Sequence, residues 1–151
     1  MSYIKIWIHL IWSTKNREKL INPVLKTKLL NHIRENAKEK NIYVDSMNCL
    51  EEHIHLLISL KGDQSISKVS QFIKGESSHW INKNNLTKIK FEWQDEYIAI
   101  SVSESVVQKV RDYIKNQEEH HRIKSFNEEY KQFMKRYGFD KLTQIYPARE
   151  I

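Results

Sequence analysis

The run Glu51 to Leu60, EEHIHLLISL, sets His53 and His55 two residues apart inside an apolar stretch. On a strand, residues i and i+2 share a face about 6.5–7 Å apart, so both imidazoles aim at one point. Ile54, Leu56 and Ile58 then face the opposite way, toward a core. Two neutral imidazoles side by side converge well on a divalent cation. Far along the chain, RDYIKNQEEHH places Tyr113 and Gln117 four residues apart. On a helix such residues are neighbours, about 5–6 Å between Cβ atoms, which presents a phenol and a carboxamide together. The glutamine oxygen can be a third ligand to a metal held by His53 and His55, while the tyrosine oxygen reaches a group bound to that metal. Each piece also has a plain packing explanation. An H-x-H fits a half-buried strand whose polar face carries histidine, and a Y-x-x-x-Q fits an amphipathic helix whose tyrosine seals the core edge. His120 and His121, one turn further on, fit helix-end residues that complement the dipole.

The elements that must position these groups follow from the rest of the chain. Its 151 residues, 40% hydrophobic and 29% charged, suit one folded domain spanning 1–151, neither membrane-embedded nor compositionally disordered. The formal charge of +6 favours a polyanionic partner through counterion release. Cys49 is the one cysteine, so no internal disulfide forms and a reducing compartment is expected. It sits in an expected strand, where packing explains it better than catalysis. The N-terminal IWIHLIW is too short to span a bilayer and lacks a small-residue cleavage site, so the expectation is a soluble cytoplasmic protein.

Tyr3 to Trp12 alternates as a first strand, with Ile4, Ile6, Ile8 and Leu10 on one face. STKNREKL follows as a polar turn whose Lys15, Arg17 and Lys19 suit either a solvated loop or a phosphate contact. Asn22-Pro23 reads as an N-cap and first helical residue, opening a helix to about Lys40. Ile42 to Leu50 and Glu51 to Leu60 form a hairpin. Ser65 or Ser67 caps a helix through Lys83, in which Gly75 suits either a close approach or drift. A strand lies within Phe91 to Ser101, most clearly Tyr97 to Val102. A helix over about 104–123 carries Tyr113 and Gln117. Ser125 to Glu128 has capping-box spacing, and a last helix over about 126–137 stops at Gly138. The order βαββαβ plus two helices is an α+β, ferredoxin-like or RRM-like arrangement: an antiparallel sheet with helices on one face and extra C-terminal helices.

Taken together, HLIWSTKNR, EEHIHLLI, FIKGESSHWI, FEWQDEYIAISVS and VRDYIKNQEEHHR resemble, in order, the single-tyrosine HUH transposases of bacterial insertion sequences and the related REP-associated tyrosine transposases. The resemblance implies that His53 and His55 bind a divalent metal, Mg²⁺ or Mn²⁺, that Gln117 completes its protein ligands, and that Tyr113 is the nucleophile. It implies transesterification on single-stranded DNA near a hairpin, through a 5′-phosphotyrosine, with no nucleotide cofactor. It also implies a homodimer in which the tyrosine acts in cis or in trans, and a protein associated with the nucleoid when bound to DNA. Lys15, Arg17 and Lys74 fall in segments that resemble the family's DNA-contacting regions. Two positions depart from the pattern: Glu51 replaces a common proline, and Glu76 stands where a basic residue is frequent. Three other readings stay open from sequence: a non-catalytic nucleic-acid-binding module, a metal hydrolase acting through water, and a domesticated relative that processes chromosomal repeats.

Overall fold

Capping residues fix where the first two long helices start. The Asn22 side chain accepts from the Leu25 N–H at 2.8 Å with Pro23 next to it, and Ser65 accepts from the Lys68 N–H at 3.2 Å. Each cap satisfies one of the backbone donors that a helix start leaves open. The computed structural model describes residues 2–139. Its elements are β1 (Ile6–Ser13), α1 (Pro23–Glu39), β2 (Tyr43–Cys49), β3 (His53–Leu60), α2 (Ile66–Lys83), β4 (Ile98–Val102), α3 (Val107–Lys115), α4 (Gln117–Ile123) and α5 (Phe126–Arg136), with short 3-10 turns at Lys15–Arg17 and Glu104–Val106. The chain divides into two compact units, one ending at Gln117 and one beginning at Glu118.

In the first unit the strands form one sheet in the order β2-β3-β1-β4, every pair antiparallel. This is the ferredoxin-like α+β arrangement. Ile8, Leu10, Trp12, Ile54, Leu56 and Ile58 point to one face and are buried with Leu25, Leu29 and Ile33 of α1 and Val69, Ile73 and Ile81 of α2. Burying each such side chain contributes about 1.5–3 kcal/mol, which makes this face the main source of stability. The opposite face carries Trp7 and Leu57, packed with Val107 and Ile114 of α3. His53 and His55 belong to this second face, as the alternation of β3 requires.

The first strand starts later than its alternation suggests. Ile4 and Ile6 are exposed, and pairing begins only where β3 and β4 lie alongside, from Ile6 and Trp7. The strand within Phe91 to Ser101 is likewise confined to its end. Phe91 and Trp93 are buried, and Trp93 makes an isolated bridge to Thr14, but the chain leaves the sheet again before Ile98. Cys49 is a buried core residue of β2. Among the described residues, a Cβ on Gly75 would meet nothing within 4 Å, so no neighbouring part of this chain requires a glycine there.

The helix expected over about 104–123 is broken. A 3-10 turn leads into α3, which ends at Lys115, and α4 starts afresh at Gln117. Side chains account for the break. Asn48 Nδ2 donates to the carbonyl of Ile114 at 3.0 Å, and Gln117 Nε2 donates to that of Tyr113 at 3.1 Å, so terminal acceptors of α3 are satisfied without a further turn. In the second unit, Ser125 accepts from the Glu128 N–H to start α5, Phe126 packs against Tyr130, and His121 Nε2 lies 3.3 Å from Glu129 Oε2. Gly138, at φ 71, adopts the left-handed conformation that ends the helix.

Candidate active site

Both histidines are fully buried on β3, opposite Ser13 and Ile11 of β1. Their rings stand edge to face with centroids 5.1 Å apart. Each has its Nδ1 engaged. His53 Nδ1 lies 2.7 Å from Glu52 Oε1, and His55 Nδ1 lies 2.9 Å from His9 Nε2. An imidazole held through Nδ1 ligates through Nε2, and a hydrogen-bond partner on Nδ1, such as a carboxylate, is the usual way a protein orients such a ligand.

Tyr113 reaches the same place from α3. Its ring is half-buried and lies 5.7 Å, centroid to centroid, from that of His55, and 6.1 Å from that of His9, edge to face in both cases. Three links hold α3 on this face. Val107 and Ile114 pack on Leu57 and Trp7, Asn48 of β2 takes the Ile114 carbonyl, and Arg111 makes paired hydrogen bonds to Asp45 at 2.8 Å each. The register of β2 slips between Val44 and Ser46, so Asp45 is the extra residue of a bulge, a device that re-aims a side chain. The guanidinium of Arg111 holds the Asp45 carboxyl below the ordinary carboxylate range. Gln117, fully buried at the start of α4, orients its carboxamide by donating Nε2 to the Tyr113 carbonyl. The i, i+4 relation read from sequence therefore survives as a hydrogen bond across a helix break, not as two side chains on one helical face.

The three basic residues flagged by the sequence divide. Lys15 and Lys74 line one groove of about 510 Å³, together with Gln71, Gln94, Asp95 and Tyr97. Lys15 pairs with Glu92 at 3.0 Å, a hydrogen bond that raises the ammonium pKa. Lys74 lies 5.9 Å from both the Trp12 and Tyr97 ring centroids and donates to the Asp95 carbonyl, and burial lowers its pKa. Arg17 sits in the turn after β1, where it and Asn16 both have positive φ, 54° and 58°. Glu76, in the place of a basic residue, holds His32 through both oxygens at 2.7 and 2.8 Å, while His32 stacks on Trp80. That position serves the contact between α1 and α2. Glu51 gives its carbonyl to the N–H groups of Leu20 and Ile21.

Sequence reasoning missed His9, Glu52, Asn48 and the Arg111–Asp45 pair. His9 was legible in part: alternation that points Ile8 and Leu10 to the core also turns His9 to the other face. What sequence lacked was the β1–β3 register, which brings that face beside His55. No local pattern announces the β2 bulge.

Residues 2–117 match the protein family described as "Transposase IS200 like", a span that ends where the first unit ends. The ISDra2 transposase TnpA of Deinococcus radiodurans is 26% identical over 114 residues, which cover 72% of this chain and 81% of that protein. The transposase of insertion sequence element IS200 from Salmonella typhimurium is 24% identical over 115 residues, covering 72% of this chain and 74% of that protein. Among solved structures, a REP-associated tyrosine transposase bound to a REP hairpin superposes with a TM-score of 0.62 at 19% identity, over 80% of this chain and 72% of that one. At that identity the likeness concerns the fold.

Proposed function

The chain belongs to the IS200-like transposase family, and from that premise we propose that it cuts and rejoins single-stranded DNA beside a hairpin, with Tyr113 as nucleophile. The observation that carries this reading is the Tyr113 ring 5.7 Å from His55, on the one sheet face that bears both histidines. The residues present suit a divalent cation: two imidazole nitrogens and a carboxamide oxygen form a mixed donor set compatible with Mg²⁺ or Mn²⁺. His53 and His55 would hold it through Nε2, and Gln117 through its oxygen. Bound there, the ion would act as a Lewis acid on the scissile phosphate.

A free phenol has a pKa of about 10 and is a poor nucleophile at neutral pH. In the proposed step, Tyr113 Oη bonds to phosphorus as the bond to the 3′-oxygen breaks, and over the whole step the phenolic proton ends on that 3′-oxygen. The products are a 5′-phosphotyrosine and a 3′-hydroxyl. Attack by that hydroxyl, or by another strand's, reverses the step, so joining requires no ATP. Because the phenol lies beside the histidine of its own chain, the reaction runs in cis, and a homodimer would pair two such sites. The groove lined by Lys15 and Lys74, with Arg17 in the adjoining turn, supplies the DNA contacts.

Labelled single-stranded hairpin DNA incubated with the protein and Mn²⁺ should give a slow-migrating adduct on a denaturing gel. Chelation or Tyr113→Phe should remove it, and His53→Ala should abolish cleavage while hairpin binding persists. Cleavage without any adduct would mean hydrolysis by water and would overturn the proposal.

A further inference from the structure

The geometry points to His9 as a positioning residue that selects the ligating tautomer of His55 and walls the nucleophile on the same side. This inference rests on the metal-ligand reading of His53 and His55 proposed above. His55 has two ring nitrogens, and Nδ1 is 2.9 Å from His9 Nε2. Ligation by His55 then falls to Nε2, and a lone pair on Nε2 of a neutral ring requires the proton on Nδ1. That proton must be donated to His9 Nε2, so His9 has to present Nε2 as an acceptor. The opposite assignment, with His9 Nε2 donating, places the His55 proton on Nε2 and blocks ligation.

Burial gives this choice its force. His9 and His55 are 5% and 0% exposed, so bulk water does not freely substitute for either partner. His9 is also rigidly placed, since β1 is an inner strand bonded to β3 on one side and β4 on the other, with His9 opposite Leu57 and Ile100. Its ring faces Tyr113 edge to face, which makes it a spacer between strand and phenol as well. His53 receives the parallel treatment from a carboxylate, Glu52. The two ligands are thus oriented by chemically different partners, a carboxylate for one and an imidazole for the other.

The test begins with the metal-free, ¹⁵N-labelled protein, in which long-range proton–nitrogen correlations report each histidine's tautomer. The expected result is His55 protonated on Nδ1 and His9 unprotonated on Nε2. By calorimetry, His9→Phe should weaken Mn²⁺ binding about 10- to 100-fold. His9→Gln, whose carboxamide oxygen accepts the same hydrogen bond, should recover most of that loss. Should His9→Phe fail to fold, the wild-type tautomer and the affinity of His9→Gln still decide the matter. A wild-type His55 that carries its proton on Nε2, or a folded His9→Phe that binds Mn²⁺ as tightly as its parent, overturns the role of His9 alone. Wild-type protein that binds no Mn²⁺ overturns the metal reading and this inference together.

Discussion

Arg111 grips both carboxylate oxygens of Asp45, Nε to Oδ1 and Nη2 to Oδ2, each at 2.8 Å. The pair ties the helix that carries Tyr113 to the bulge of β2. It should therefore matter to both stability and catalysis. The folded-state pKa of Asp45 is lowered, chiefly by the hydrogen bond from Arg111. Its contribution is accordingly present above the unfolded carboxylate pKa and is lost as pH falls through the folded one. Asp45→Asn should cost about 1–2 kcal/mol at neutral pH, between the ranges for exposed ion pairs and for charged hydrogen bonds, because Arg111 is partly solvated. Urea unfolding of both proteins, repeated down to acid pH, should show the gap closing. A gap that stays constant with pH would remove Asp45 as its source.

Leu57 lies beneath α3, fully buried with Trp7, Val107 and Ile114. Leu57→Ala should destabilise the protein by about 2–5 kcal/mol through lost burial and the cavity left behind. Since that cavity opens under the tyrosine helix, cleavage should fall more than hairpin binding at a temperature where the variant remains folded. Equal loss of both would mean that the helix is not positioned by this contact.

Lys74 is held against two aromatic rings in the groove that it shares with Lys15. If it meets a phosphate, Lys74→Ala should weaken hairpin binding alike for different sequences and lower the salt slope by about 1. Titrations at several salt concentrations read this directly. An unchanged slope would place the DNA elsewhere.

Placement of Tyr113 beside the histidine of its own chain makes a further prediction. A mixture of Tyr113→Phe and His53→Ala chains should stay inactive, because neither chain holds a complete site. Recovery of adduct formation in the mixture would show that the phenol crosses to a partner.

Much of this arrangement was legible in the residues themselves. Period-two alternation put His53 and His55 on one face with Ile54, Leu56 and Ile58 on the other, and candidate caps at Asn22, at Ser65 or Ser67, and at Ser125 marked three helix starts. The break after Lys115 was not legible, because it depends on Asn48 reaching a carbonyl 66 positions further along the chain. Nor was the partnership of His9 and His55, which needs the strand register and not merely the strands. Apolar pattern specifies which face a residue takes; it does not specify which polar neighbour it meets there.

The most direct measurement is identification of the residue that carries DNA after reaction with the hairpin substrate and Mn²⁺. Trypsin cleaves after Arg111 and Lys115, so a nucleotide-bearing peptide Asp112–Lys115 is expected in the mass spectrum, with the added mass on Tyr113. Attachment to any other residue, or complete cleavage with that peptide unmodified throughout the time course, would contradict it.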